Sequence, residues 1–176
     1  KDVQQFIQAA NPKILKKKSI IFEEGSKSSE ILYLRKGLIR MYHIKKNGDE
    51  ITYNFIPQQN IVANFEYIGF REPSSFYYET LEKSHFLSID YAVLESIMSN
   101  NPKFEKNRKL FVRELVKKSS NRVRSFVLMN AEERYLKFIK DFPDLTNRVP
   151  DKYIAHVLGI TPVSLSRIRK RLASKS

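Results

Sequence analysis

Cationic side chains near the end of the chain follow a spacing that suits binding to a polyanion. The stretch YIAHVLGITPVSLSRIRKRL, residues 153–172, has a helical spacing of apolar residues that stops at Gly159 and resumes after Pro162. Gly159 stands where a helix ends in the left-handed conformation, and Thr161 and Pro162 suit the cap and the first position of a new helix. The stretch therefore predicts two short helices joined by a tight turn, which is a helix-turn-helix.

The second of these helices is predicted to present small polar and cationic side chains at its surface. Ala155, Leu165 and Ile168 are spaced to pack the two helices together, which leaves the other side chains outward. A helix of this width fits the major groove of DNA, where arginine can bind a guanine edge. The alternative is an ordinary helical hairpin with a basic surface. Arg167 is the predicted base-reading residue, and the full predicted DNA-binding set is Thr161, Pro162, Val163, Ser164, Ser166, Arg167, Arg169, Lys170 and Arg171.

The distribution of charge also favours a polyanion as the partner. The formal net charge is +13. Residues 1–100 contain 13 Lys and Arg against 12 Asp and Glu, whereas residues 101–176 contain 19 against 7. Nearly all the excess positive charge therefore lies in the last part of the chain. A solvated helical surface or an anionic membrane would also suit this charge, but no amphipathic anchor containing Trp is present.

Several classes of chemistry find no support in the sequence. Cysteine is absent, which excludes disulfides, thiolate nucleophiles, Cys-ligated zinc and cysteine-held iron–sulfur clusters. The three histidines, His43, His85 and His156, are far apart and lack metal-ligand spacing. No dinucleotide-binding, P-loop or nucleophile-elbow motif occurs, and no apolar run approaches 18 residues. We therefore expect a cytoplasmic protein that is not an enzyme, holds no metal or cofactor and does not enter a membrane.

Strands and helices that could support this motif are visible upstream. β-branched and aromatic residues alternate through the middle of the chain, and Asn47-Gly48 is a strong hairpin signal between two of the segments. Short strands separated by turns favour an antiparallel sandwich or jelly roll. Short helices are predicted at 2–10 and 91–99. The predicted strands cover 31–34, 38–44, 51–56, 76–81 and 85–89.

A long helix is predicted between the strands and the helix-turn-helix. Residues 103–129 contain no Gly or Pro, and apolar residues recur near helical spacing. A second copy of the chain is the economical partner for this apolar stripe; the alternative is that the helix lies only on its own domain. Asn130 and Glu133 have the form of a capping box that begins another helix, 131–140. The predicted dimer interface comprises Phe104, Phe111, Leu115, Val123 and Phe126.

These elements predict an α+β chain in three parts. An antiparallel jelly-roll sensor domain covers residues 1–100. The long dimerisation helix covers residues 101–129. A helix-turn-helix domain covers residues 130–176.

The segment VPDKYIAHVLGITPVSLSRIRKRL, residues 149–172, and the run from Asn101-Pro102 to Arg134 resemble the CRP/FNR family of bacterial transcription regulators. The likeness extends over nearly the whole chain, and LGITPVSLSRIRKRL is similar to divergent members found in Bacteroidetes. The resemblance implies a homodimer in which a jelly roll related to cyclic-nucleotide-binding domains precedes the helix-turn-helix. It implies double-stranded DNA, RNA polymerase and a small-molecule effector as partners. The alternative is a cyclic-nucleotide-binding module whose C-terminal helices mediate protein contacts.

Two departures from the family pattern change what can be expected. Of the family's base-reading run Arg-Glu-Thr-Val-Gly-Arg, which corresponds to residues 162–167, only the last Arg is retained, so the family's preferred DNA sequence does not carry over. The segment 141–149 is too short for much of the usual β wing.

The resemblance also implies an effector pocket. Cyclic-AMP-responsive members need a Gly-Glu pair and an Arg-Ser or Arg-Thr pair about ten residues on. Glu66 fits the glutamate, with Phe65 in place of the glycine, but Ser74 stands at the arginine that neutralises the phosphate. An unneutralised phosphate is costly in a partly dry pocket, so we expect an effector other than cyclic AMP. The implied pocket comprises Glu66, Ser74, Ser75, Ser119 and Ser120.

Overall fold

The computed structural model of the chain describes residues 8–99 and 102–174. The chain divides into two compact units, Lys1–Lys106 and Asn107–Ser176. The helix predicted for residues 2–10 lies mostly outside the described residues. Its described residues Gln8 and Ala9 are helical. No helix in the described ranges is long and apolar enough to cross a membrane.

Eight strands lie in the described part of the first unit, and they form two four-stranded sheets. The sheet orders are β1-β8-β3-β6 and β2-β7-β4-β5, and every pairing is antiparallel. In each sheet an early strand pairs with a late one, which is the arrangement of a jelly roll. The predicted fold is confirmed. The strands are β1 Asn11–Leu15, β2 Ile20–Phe22, β3 Glu30–Lys36, β4 Leu38–Ile44, β5 Glu50–Pro57, β6 Asn60–Ala63, β7 Tyr77–Thr80 and β8 Ser84–Asp90.

The alternation of side chains along the strands builds the core of this unit. On β3, Leu32 and Leu34 are fully buried, whereas Tyr33 and Arg35 between and beside them are exposed. Because successive side chains of a strand point to opposite faces, one face of the sheet packs inward. The cluster between the sheets consists of Phe22, Leu32, Leu34, Ile39, Val62, Tyr78 and Phe86.

The hairpin predicted at Asn47-Gly48 joins β4 to β5. Gly48 has φ +86°, a conformation that glycine adopts without a Cβ clash. The Nδ2 of Asn47 donates to Asp49 at 2.9 Å, and the backbone N–H of Asp49 donates to Oδ1 of Asn47 at 3.1 Å. These bonds stabilise a five-residue loop, longer than the two-residue turn that this dipeptide most often forms.

A buried cation lies on the outer face of the second sheet. Arg40 on β4 is 1% exposed, and its Nη1 lies 2.7 Å from Glu50 and 3.4 Å from Glu79. Its Nε donates to the hydroxyl of Thr52 at 2.9 Å. Burial, together with the two carboxylates, raises the pKa of the neighbouring Tyr42 to about 12. The two carboxylates offset part of the cost of burying this guanidinium.

Helices follow the strands as the sequence predicts. The predicted helix at 91–99 is confirmed, and the long helix has 27 residues. The capping box is also confirmed, because Asn130 Oδ1 accepts from the N–H of Glu133 at 3.0 Å while the Glu133 carboxylate accepts from the N–H of Asn130 at 2.8 Å. A short 3₁₀ turn, Leu145–Asn147, lies between the helices Ala131–Asp141 and Asp151–Leu158, in the segment that the sequence predicts to be too short for a β wing. The helices are α1 Phe65–Phe70, α2 Tyr91–Met98, α3 Pro102–Leu128, α4 Ala131–Asp141, α5 Asp151–Leu158 and α6 Pro162–Ala173.

Candidate nucleic-acid interface and effector pocket

The turn between α5 and α6 has the geometry that the sequence predicts. Gly159 is left-handed with φ +66°, and the N–H of Ile160 donates to the carbonyl of Ala155 at 3.0 Å. Thr161 begins α6 because its Oγ1 accepts from the N–H of Ser164 at 3.1 Å, and Pro162 occupies the first helical position. These contacts fix the direction in which α6 leaves the turn.

Apolar side chains hold α5 and α6 together. Ala155 and Leu165 are fully buried, and Ile168 is 5% exposed. Their burial agrees with the predicted packing of the two helices. A Cβ added to Gly159 would lie 2.7 Å from the ring of Phe126 at the end of α3, so α3 also packs closely on this turn.

Arg134, which no sequence motif marks as functional, joins three elements of the second unit. Its Nη1 donates to the carbonyl of Met129 at 2.6 Å, and its Nε donates to the carbonyl of Leu158 at 3.0 Å. Its guanidinium lies 5.1 Å from the centre of the Phe126 ring. Arg134 thereby satisfies carbonyls at the ends of α3 and α5 that have no partner within their own helices. It fixes the helix-turn-helix against the end of the long helix.

One face of α6 is free to contact a ligand. Val163 is 60% exposed, and Ser166, Arg167 and Lys170 are also exposed. Their spacing of three, four and seven residues places these side chains on one helical face. Among the described residues, Arg167 and Lys170 make no ion pair or side-chain hydrogen bond. Both cations are therefore available for an external anion.

Other predicted DNA contacts are already bonded within the protein. Nη1 of Arg169 lies 2.8 Å from both carboxylate oxygens of Asp151, and its Nε donates to the hydroxyl of Tyr135 at 3.1 Å. Arg171 pairs with Glu132. These bonds give both arginines a role in holding α6 on its neighbours. Their contacts with DNA stay predictions, as do those of Thr161, Pro162 and Ser164 in the capped first turn.

The residues implied for the effector pocket of the first unit lie together. The carboxylate of Glu66 on α1 accepts from the N–H of Ser75 at 2.6 Å. Ser74 is 2% exposed, its N–H donates to the carbonyl of Ser26 at 2.9 Å, and its Oγ donates to the carbonyl of Phe76 at 2.8 Å. We call the segment 66–75, which holds these three residues, the cassette, and its polar groups are hydrogen-bonded within the protein.

The expectation that the effector is not cyclic AMP stays a prediction, and the charges around Glu66 bear on it. Ser74 brings no positive charge to the place where the phosphate would lie, and the Glu66 carboxylate beside it is negative. The nearby Arg71 is exposed and left-handed, with φ +61°, and its guanidinium lies 5.4 Å from the ring of Tyr67. Desolvating a phosphate without a cationic partner is unfavourable. The implied contribution of Ser119 and Ser120 stays a prediction; both are exposed on α3 in the second unit.

The long helix carries an exposed valine stripe, which we define as Val112, Val116, Val123 and Val127. These side chains are 51–73% exposed and follow one another at intervals of four, seven and four residues. That repeat places them on one face of the helix. Of the predicted interface residues, Val123 belongs to the stripe and Phe126 is 41% exposed, whereas Phe104, Phe111 and Leu115 are half-buried. Their participation in a dimer stays a prediction.

Comparison with known proteins agrees with this architecture. Residues 12–101 match the family model described as cyclic nucleotide-binding domain. An anaerobic regulatory protein of Pasteurella multocida is 24% identical over 173 residues, which cover 91% of this chain and 62% of that protein. The fumarate and nitrate reduction regulatory protein of Vibrio cholerae is 23% identical over 96% of this chain and 70% of its own length. The chain thus spans less than two thirds of the Pasteurella protein.

A solved structure shares the same fold. FixK2 from Bradyrhizobium japonicum superimposes with a TM-score of 0.80 at 14% sequence identity. The match covers 94% of this chain and 85% of FixK2.

Proposed function

The chain belongs to the cyclic nucleotide-binding domain family, and we propose that it is a transcription regulator of the CRP/FNR type that binds double-stranded DNA. In this proposal α6 enters the major groove, while the jelly roll serves as the sensor. The protein acts in the cytoplasm as a homodimer, with RNA polymerase as a further partner. The regulatory names of its relatives support a role in gene control rather than catalysis.

The free cationic face of α6 is the observation that carries this proposal. Arg167 and Lys170 are exposed on a helix whose start is capped by Thr161 and whose opposite face is buried by Leu165 and Ile168. A helix held this firmly can place an arginine against the N7 and O6 of a guanine. Lys170, one turn later, suits a phosphate.

The exposed valine stripe supports the proposed dimer. An apolar face on a 27-residue helix is costly to leave in water, and a second copy would bury it. Two copies of α6 would then read two half-sites related by the two-fold axis of the dimer.

The proposed effector is a molecule other than cyclic AMP. Support comes from Ser74, which is buried at the place of the phosphate-binding arginine, and from Glu66, whose carboxylate already accepts a backbone N–H.

Selection of DNA followed by binding measurements tests the function. The full chain is first used to select a preferred sequence from a pool of random duplexes. Arg167→Ala should then weaken binding to the selected sequence by about 1–3 kcal/mol and remove the preference at one base pair of each half-site. Lys170→Ala should weaken binding to all duplexes alike and lower the salt slope by about 0.9 per contact.

Two results would contradict the proposal. If Arg167→Ala weakened every sequence equally, Arg167 would be a phosphate contact rather than the base reader. If the wild-type chain selected no sequence and bound duplex DNA without salt dependence, the alternative would hold, in which the C-terminal helices mediate protein contacts.

A further inference from the structure

The four cations of α6 are of two kinds, free and restrained. The helix contains no carboxylate of its own, so its cations are paired only by acidic residues of other helices. Arg169 is held by Asp151, the first residue of α5, and Arg171 is paired with Glu132 in the first turn of α4. We call Arg169 and Arg171 the restrained arginines. The other two cations of α6 are the free ones described above.

The restrained arginines flank the free face of α6. Arg171 follows Arg167 by four residues and Arg169 follows Ser166 by three, so each lies beside one edge of that face. Because a helix turns by about 100° per residue, these two edges lie on opposite sides of the face. A helix in the major groove has base edges in front of it and a sugar–phosphate backbone on either side. The restrained arginines are therefore placed where α6 would approach the two backbones.

Both ion pairs lie at the surface, where a carboxylate can be exchanged for a phosphate. Asp151 and Arg171 are exposed, and Arg169 and Glu132 are half-buried. Solvent-exposed ion pairs contribute little stability, so opening one costs little. Nη2 of Arg169 is buried and has no hydrogen-bond partner among the described residues, so the protein does not satisfy this guanidinium completely. Arginine binds phosphate with the same forked geometry that it uses for a carboxylate.

We propose that Asp151 and Glu132 limit the affinity of α6 for DNA of any sequence, because they hold two arginines that would otherwise bind phosphates. This inference rests on the proposed function. Phosphate contacts supply essentially all of the affinity for non-specific DNA, whereas base preference comes from contacts with the base edges. The two carboxylates therefore weaken binding to random DNA and leave the base preference of Arg167 unchanged.

A purely structural role of the ion pairs predicts the opposite change in affinity. If the pairs served only to hold α6 on α4 and α5, removal of a carboxylate would loosen α6 and weaken DNA binding. Under our proposal the same removal frees a cation and strengthens DNA binding. Arg169 stays at the surface of α6 in that case, because its Nε still donates to the hydroxyl of Tyr135 at 3.1 Å.

The test measures the affinity of the full chain for a random-sequence duplex at several salt concentrations. The variants are Asp151→Asn and Glu132→Gln, which remove the charge and keep the shape of the side chain. They lie on different helices, so one still tests the proposal if the other unfolds. Asp144→Asn is the matched control, because Asp144 is an exposed carboxylate of the same unit that makes no ion pair within the described residues. Thermal unfolding shows which variants are folded.

Each of the two variants should bind the random duplex more tightly than the wild type, and the control should bind like the wild type. The salt slope should be steeper by up to about 0.9 for one gained phosphate contact, which is about 3.5-fold in affinity for a fourfold change in salt. Adding Arg169→Ala to Asp151→Asn, or Arg171→Ala to Glu132→Gln, should abolish the gain. On the sequence selected by the full chain, the preference at each base pair should be unchanged.

Other outcomes would overturn the inference. An affinity and a slope at or below the wild-type values in the folded variants would show that the ion pairs serve only to hold α6 in place. An equal gain in Asp144→Asn would show only a dependence on net charge. A gain that survives removal of the partner arginine would assign it to another cation. Failure of the proposed function would differ from all of these, because the wild type would then select no sequence.

Discussion

Replacement of Gly159 by alanine tests the closest contact of the helix-turn-helix. Gly159 has φ +66°, and an alanine in the left-handed region costs about 1–2 kcal/mol. The new Cβ would also lie 2.7 Å from Cε1 of Phe126, whereas ordinary van der Waals contact begins at 3.4 Å. The ring would have to retreat by about 0.7 Å, and overpacking of this kind costs about 1–3 kcal/mol. We therefore expect Gly159→Ala to lower the free energy of unfolding by about 2–5 kcal/mol.

Gly25 offers a control for the backbone strain alone. Its φ is +85°, but no heavy atom lies within 4 Å of an added Cβ. Gly25→Ala should therefore cost about 1–2 kcal/mol. Urea unfolding followed by circular dichroism measures the free energy of unfolding of both alanine variants. Gly159→Ala is also measured in a Phe126→Leu background, where the clash should be smaller. Equal losses for the two alanine variants, or the same loss in both backgrounds, would refute the packing argument.

The other predictions concern the dimer, the effector and one arginine. Val116→Glu combined with Val123→Glu should yield monomers in sedimentation at micromolar protein, because two buried carboxylates would face each other across the interface; a wild-type monomer would contradict the dimer. Titration calorimetry should detect no binding of cyclic AMP at physiological concentrations, and tight binding would require a cation near Glu66 that this cassette does not supply. Arg169→Ala should lower thermal stability, because its guanidinium joins α6 to Asp151 and Tyr135. An unchanged salt slope of DNA binding would contradict its predicted contact with DNA. A slope reduced as much as by loss of a free lysine would assign Arg169 to a phosphate.

Local signals are sufficient to predict the ends of the helices. Asn130 and Glu133 form a reciprocal cap, and Gly159 and Thr161 end one helix and begin the next. Each of these positions depends on side-chain and backbone atoms within a few residues, so the sequence alone contains the necessary information. The end of α5 and the start of α6, on either side of the turn, can therefore be predicted from Gly159 and Thr161.

Short strands and distant contacts are harder to predict. β2 has three residues and β6 has four, too few for a clear period of two. Arg134 becomes visible only when the fold brings the carbonyls of Met129 and Leu158 to its guanidinium. Phe111 and Leu115 are half-buried in the single chain, and their part in a dimer interface stays a prediction.

The strand order has a consequence for synthesis of the chain. β1 pairs with β8, so Asn11 meets Ser88 across 77 positions, whereas the helices of the second unit contact near neighbours in sequence. At about 5–20 residues per second, β1 waits roughly 4–15 seconds for its partner to be made. During that time its backbone N–H and C=O groups form an open edge that can pair with another nascent chain. Folding through distant pairings is also slow, on the order of milliseconds to seconds, against microseconds to milliseconds for helical packing. Aggregation during translation should therefore begin in the jelly roll, and the helical unit, although made last, should be the quicker of the two to reach its native packing.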